Sequence, residues 1–447
     1  SLCISLDKLM SERCDTERLL ELLALAEQCG SSSLLVQMTL KWGKQLEKCT
    51  LPHAYLRILD AAIQCSSNSV EKKLLLRMQL IASQAAAEWR VAAKTSEQLD
   101  ALQTSHEDLA ERLATIETSL HASLSRTAVQ MSSHALEIAR DVSIPTEKRV
   151  YACRLALTAA SERFDSRCAA ASFGILETIE GHSTETESAL GEVRMQYHTI
   201  FGDLTIAVNE ANAIDRARDQ LARTPEGLRR LSNASFALRI AGQYTAAQRC
   251  LDACVQSSAN AEASSRHLEL IWRKCVIAID ANQRAAALSL GDQFVEMARK
   301  LLCLEEEWVR LFCLRLEEIR TGSIRDCRLA AEHVASISES PSRAQLYCLA
   351  LLLCWRRIRS DKVSLRRYLD AAEDYLGRFG RFTGMDFLAA STARGLIALG
   401  DSSRAESVLR HYLTADRRER GHAGFVFAGL APHIPTADDT VIDAPRS

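Results

Sequence analysis

Apolar residues recur at helical spacing along most of the chain. From Thr16 to Cys29 they stand at Leu19, Leu20, Leu22, Leu23, Leu25 and Ala26, which is the periodicity of an amphipathic helix. Gly30-Ser31-Ser32-Ser33 interrupts it, and Leu34 to Lys48 follow as a partner helix. A second pair begins after Pro52 and turns at Ser66-Ser67-Asn68-Ser69. Residues 94–130 are more polar. There Leu102, Leu109, Leu113, Ile116, Leu120 and Leu124 keep one narrow stripe, which predicts a single long helix packed on one side. After Pro145-Thr146-Glu147, with Thr146 as the capping residue, the pattern predicts helices over Lys148–Phe164 and Asp165–Ile179 and a polar loop over Glu180–Glu185. Thr224-Pro225-Glu226 repeats the start signal, a cap followed by proline at the first helical position.

The clearest unit follows. Leu231, Ala234, Ser235 and Leu238 form one stripe, Gly242 ends it, and Tyr244, Ala247, Leu251 and Cys254 form the next. Small residues let two helices approach closely, and Gly242 lets the backbone leave the first helix. The arrangement recurs at Ala389, Ala393, Leu396, Gly400, Ala405, Leu409 and Tyr412. Ala247, Ala287, Cys327, Leu365 and Ala405 then mark successive second helices at a step near 40 residues.

Gly242-Gln243-Tyr244-Thr245-Ala246-Ala247 resembles the tetratricopeptide signature, whose standard repeat is about 34 residues long. The longer step resembles the helical-repeat sensor regions of bacterial regulators, such as maltose-regulator-type activators and signal-transduction ATPases with numerous domains. The resemblance covers about residues 228–420. It implies an all-α fold, a right-handed superhelix of antiparallel helix pairs with degenerate repeats of about 40 residues. Three regions are expected: a helical-hairpin array over 1–223, repeats over 224–420, and a flexible tail over 421–447.

Composition supports the fold class. The chain has 447 residues with 18 Gly and 7 Pro, and no glycine stands between Lys44 and Phe173. A β-rich chain of this length needs far more turn glycines. The 55 basic residues nearly balance the 57 acidic ones, for a net charge of −2, so no global field draws nucleic acid or an anionic membrane. The most apolar stretch, Leu346–Trp355, is too short to span a bilayer. Fifteen cysteines without a CxxC pair point to free thiols in a reducing, cytoplasmic compartment. The first residue is Ser1, with no signal-peptide pattern after it, so the chain is read as a processed product or a piece of a larger protein.

Chemistry is not visible. No phosphate-binding glycine loop, HExxH or GxSxG occurs, and the 11 histidines are scattered. No catalytic residue, cofactor or metal is therefore expected. Glu305-Glu306-Glu307 reads as a helix N-terminal turn. The basic run from Arg356 to Arg381 reads as a solvated or protein-binding face, because it lacks the aromatic platforms of a nucleic-acid site.

First helices line the groove of a solenoid. The groove positions fall at Arg229, Phe236, Arg239, Trp272, Ile279, Phe312, Arg320 and Arg394. Aromatic residues interleaved with arginine are the composition of interaction hot spots, although Trp272 and Phe312 suit a core between repeats equally. The expected function is non-catalytic binding of a protein or peptide partner, or a small ligand, by the sensor part of a signalling or transcription-regulating protein. The alternative is a freestanding adaptor or secreted effector. Neither nucleic acid nor a membrane is expected as a partner.

Overall fold

A computed structural model describes residues 16–28, 30–46, 52–85, 88–101, 109–122, 128–180, 184–258, 265–322, 324–337, 341–358, 362–379 and 385–414. The described residues are all-helical, with no strand among them. The chain divides into two compact units, Ser1–Ser123 with Ala259–His267, and Leu124–Ser258 with Leu268–Ser447.

The first unit holds α1 (Thr16–Gln28), α2 (Ser32–Leu46), α3 (Pro52–Cys65), α4 (Ser69–Ala85), α5 (Trp89–Ala101) and α6 (Leu109–Ala122). Each packs on the next. Tyr55 is buried and its hydroxyl donates to the Gly43 carbonyl at 3.2 Å, tying α3 to α2. The single long helix expected over 94–130 does not form. Here α5 and α6 pack against each other, and residues eight or more apart on one straight helix are ~12 Å or more apart along its axis. Gln84 of α4 crosses to α6, donating to the Ala114 carbonyl at 2.5 Å and to Thr118 Oγ1 at 3.0 Å. The thin stripe of α6, Leu113, Ile116 and Leu120, is buried.

The second unit continues with α7 (Ala128–Arg140), α8 (Thr146–Arg163), α9 (Ser166–Glu177), α10 (Thr184–Ile200), α11 (Leu204–Arg216), the single turn α12 (Arg218–Leu221), α13 (Pro225–Ile240) and α14 (Tyr244–Ser258). Then come α15 (Ser265–Asp280), α16 (Arg284–Lys300), α17 (Glu307–Thr321), α18 (Arg328–Ala335), α19 (Arg343–Ile358), α20 (Lys362–Phe379), α21 (Asp386–Ala398) and α22 (Ser402–Thr414). Residue 223 lies inside this unit, and α11 packs on α13 across it. Residues 421–447, expected as a flexible tail, lie outside the described residues.

Local chemistry sets the helix ends. Thr224 Oγ1 accepts from the Gly227 amide at 3.0 Å, and Asp165 accepts from the Arg167 and Cys168 amides, each satisfying amides that the helix leaves unpaired. Thr146, expected as a cap, is instead the first helical residue, and Pro145 precedes it with no side-chain bond. First helices close in a left-handed residue at Gly242, Asn282, Gly322 and Gly400, with φ of 74°, 60°, 72° and 81°. After Gly242 the Gln243 amide reaches back to the Leu238 carbonyl at 2.8 Å, and the Gln283 amide reaches Ala278 in the same way. This is the bond that ends a helix tightly enough for its successor to fold back.

Ala247, Ala287, Cys327, Leu365 and Ala405 are each at most 2 % exposed. Leu346 to Cys354, the most apolar stretch, forms the middle of the largest core, with α17, α18, α20 and α21 packed around α19. The unit doubles back on itself: α8 touches α19, and Phe164 stacks on Phe379 with ring centroids 5.1 Å apart. Among the described residues no helix is long and apolar enough to cross a membrane.

Candidate partner-binding face

The first helices α10, α13 and α15 are joined by polar contacts at a constant sequence separation. Asn233 donates to Glu192 at 2.5 Å, Arg273 to the Ser232 carbonyl at 3.3 Å, and Arg239 to Asp280 at 2.9 Å, each across 41 residues. Arg229 also bonds Glu192, whose side chain is buried. The ladder arises because equivalent helix positions in neighbouring pairs come into register.

Toward the C-terminal end these contacts become a buried constellation. Arg315 pairs with Glu318 at 2.5 Å, and the two are only 3 % and 6 % exposed. The Arg315 guanidinium lies over the Phe387 ring, 3.8 Å from its centroid, a cation–π contact that is stronger out of water. Burial pushes the Asp280 carboxyl up to about 6; Arg239 opposes this, Asp386 adds to it, and Arg315 opposes it. Burial likewise raises the Tyr347 phenol. Burial lowers the Arg394 guanidinium, Glu318 holds it up, and Arg315 and Arg357 push it down. Side chains from α13, α15, α17, α19 and α21 therefore share one electrostatic neighbourhood.

The eight groove positions divide within this frame. Arg239 and Arg394 belong to the constellation, with Phe236 beneath the Arg239 guanidinium at 5.3 Å. Arg229 lies further along the ladder on Glu192. Arg320 is exposed and pairs with Asp292. Ile279 and Phe312 are buried, at 5 % and 4 % exposure. Phe312 meets Phe294 edge-on at 5.0 Å, and Trp272 meets Trp308 and Phe312 edge-on at 6.2 and 6.3 Å. That cluster is the core between α15, α16 and α17. It forms because rings at matching positions of adjacent helices prefer edge-to-face contact.

Asp280, Glu318, Asp386 and Arg315 were not among the eight. Their signal was faint but present: Asp280 follows Arg239 by 41 residues, about one step, with the opposite charge. Glu307 does open α17, with Glu306 before it accepting from Trp308 Nε1 at 3.0 Å. His333 is buried and its Nε2 contacts the Glu307 carboxylate. Among the described residues no three His, Cys, Asp or Glu side chains gather as metal ligands. No protein-family model matches the chain, and no curated protein matches it.

Proposed function

We propose that this chain is a non-catalytic helical-repeat module that binds a protein or peptide partner on the face built by its first helices. One observation carries the reading. Ionised groups from five first helices are gathered and partly buried where apolar contacts would stack the array equally well. Burying ion pairs generally stabilises no better than apolar packing of the same volume, and groups whose ionisation is shifted by burial cluster at functional sites, which supports reading this face as a recognition surface. The half-buried Arg229, Phe236, Arg239 and Arg394, with exposed Arg320, are its contact residues.

The tetratricopeptide-like character, right-handed winding and step near 40 residues belong to the same proposal. The left-handed residues at 242, 282, 322 and 400 and the contacts at separation 41 support the step. A sensor role in a larger signalling protein is the setting that the resemblance implies. The free thiols among the described residues support a reducing compartment.

The test is selection of random 12-residue peptides displayed on phage against the immobilised chain. The wild type is expected to enrich peptides, and the Arg239→Ala/Arg320→Ala variant to lose them with its helicity intact. Trp272 is left unaltered because it belongs to the aromatic core. Equal enrichment by the variant rejects this face, and no enrichment by either rejects peptide binding.

A further inference from the structure

Helix α4 buries one side and leaves an apolar stripe on the other. Leu75, Leu76, Leu80 and Ala82 belong to the core of the first unit. Gln79 and Ser83 complete that side, Gln79 accepting from Thr95 Oγ1 at 2.9 Å and Ser83 donating to the Leu80 carbonyl at 2.9 Å. At 3.6 residues per turn the opposite side holds Val70, Lys73, Leu74, Arg77 and Ile81. Val70 is 65 % exposed, Leu74 43 % and Ile81 39 %. Their spacing, four residues and then seven, is that of a seam by which one helix meets another. The stripe runs roughly 16 Å along the axis. At the last turn of α4 the same side meets α6 through Gln84.

The other exposed large apolar side chains among the described residues stand singly. Leu25, Val142, Ile206, Leu302 and Val363 lie on five different helices or turns. Single apolar residues are ordinary on a protein surface, whereas a contiguous stripe marks a contact.

Charge selects the occupant. Lys73 and Arg77 stand along the stripe and give it a positive edge. Glu71 lies on the other edge in the first turn, where the helix dipole accounts for it. A second copy of α4 laid along this stripe, parallel or antiparallel, would bring the Arg77 side chains of the two copies within a turn of each other. Like charges so placed oppose pairing. A lipid surface is met by helices that carry Trp or Phe among their apolar residues, and this stripe is aliphatic and short. A helix with its own apolar seam and carboxylates beside it fits both the spacing and the charge.

We propose that α4 is a docking site for an acidic amphipathic helix of a partner protein, held by Val70, Leu74 and Ile81 and oriented by Lys73. This surface lies in the first unit and uses no residue of the first-helix face, whose contact residues belong to the second unit.

The experiment titrates the full chain into two fluorescein-labelled helical peptides, read by anisotropy. Both carry leucine at the a and d positions of three heptads; one has glutamate at e and g, the other lysine. The glutamate peptide is expected to bind about tenfold or more tightly than the lysine peptide. Leu74→Ser/Ile81→Ser should weaken it by about tenfold or more with circular dichroism unchanged. Lys73→Glu, which leaves the apolar stripe intact, should narrow or reverse the preference between the peptides. Arg239→Ala/Arg320→Ala should bind the glutamate peptide as the wild type does. Equal binding of the two peptides, no binding of either, or unchanged binding by the serine variant overturns the proposal. Loss of the peptide in Arg239→Ala/Arg320→Ala overturns it by placing the peptide on the first-helix face. Sedimentation as a dimer that the serine variant abolishes assigns the stripe to a second copy, and pelleting with phosphatidylserine vesicles that the same variant abolishes assigns it to lipid; either result overturns it.

Discussion

The Arg239 guanidinium reaches Asp280 at 2.9 Å from the end of one first helix to the end of the next, and both side chains are less than a fifth exposed. Removing one partner of such a pair leaves the other desolvated and uncompensated. Arg239→Ala is therefore expected to destabilise the chain by about 2–4 kcal/mol, read from urea unfolding. Arg239→Lys should recover only part, because an ammonium lacks the planar fork. A loss no larger than that of an exposed pair would show that Asp280 finds water or another cation.

The raised Asp280 carboxyl carries a pH signature. Its folded value is about 6, against 3.8 for the ordinary group. The folded chain holds a proton there that the unfolded chain has released. The contribution of Asp280 to stability is thus greatest below pH 4 and falls as pH rises through 6. Asp280→Asn keeps the neutral form throughout. The stability difference between variant and wild type should move in favour of the variant by on the order of 2 kcal/mol between pH 4.5 and 7. A flat difference would mean that Arg239 and Arg315 outweigh burial.

Leu302 adopts φ 56° and is 86 % exposed, so its side chain gains little packing for an unfavourable backbone. Leu302→Gly should stabilise by about 1 kcal/mol. Leu302→Ala should not, since alanine meets the same left-handed penalty. Thermal unfolding of the two variants separates backbone from side-chain effects.

Two glycines in helix interiors predict opposite outcomes. A Cβ at Gly395 would stand 2.9 Å from Leu369 Cδ2, whereas one at Gly377 would meet nothing within 4 Å. Gly395→Ala is expected to destabilise by about 1 kcal/mol. Gly377→Ala should stabilise by roughly 0.5–1 kcal/mol, the usual helix gain. Equal effects would contradict the close approach of α20 and α21.

The thiols differ in environment. Burial pushes Cys250, Cys275 and Cys327 up to about 12, while Cys65 is exposed. Alkylation of the native chain at pH 8, mapped by peptide mass, should label Cys65 and spare those three. Rapid labelling of Cys275 would reveal local opening of α15 from α16.

Much of this fold was legible because its instructions are local. Gly242 with Tyr244 and Ala247 set a turn and a close helix contact. Thr224 and Asp165 capped helices where capping residues preceded an apolar pattern, and the even step placed Ala247, Ala287, Cys327, Leu365 and Ala405 in the core. Residues 94–130 show where that reading stops. One continuous stripe does not reveal whether the chain turns between two helices, because both arrangements bury the same face.

The face of the first helices shows the same limit at longer range. The sequence alone determined helix type and the hairpin turns, since each depends on neighbours within a few residues. Only the tertiary structure decided that Trp272 and Phe312 pack into a core while Arg239, Asp280, Arg315, Glu318, Asp386 and Arg394 share one neighbourhood. A buried charge depends on which helices, remote along the chain, fold back beside it, and no local pattern encodes that.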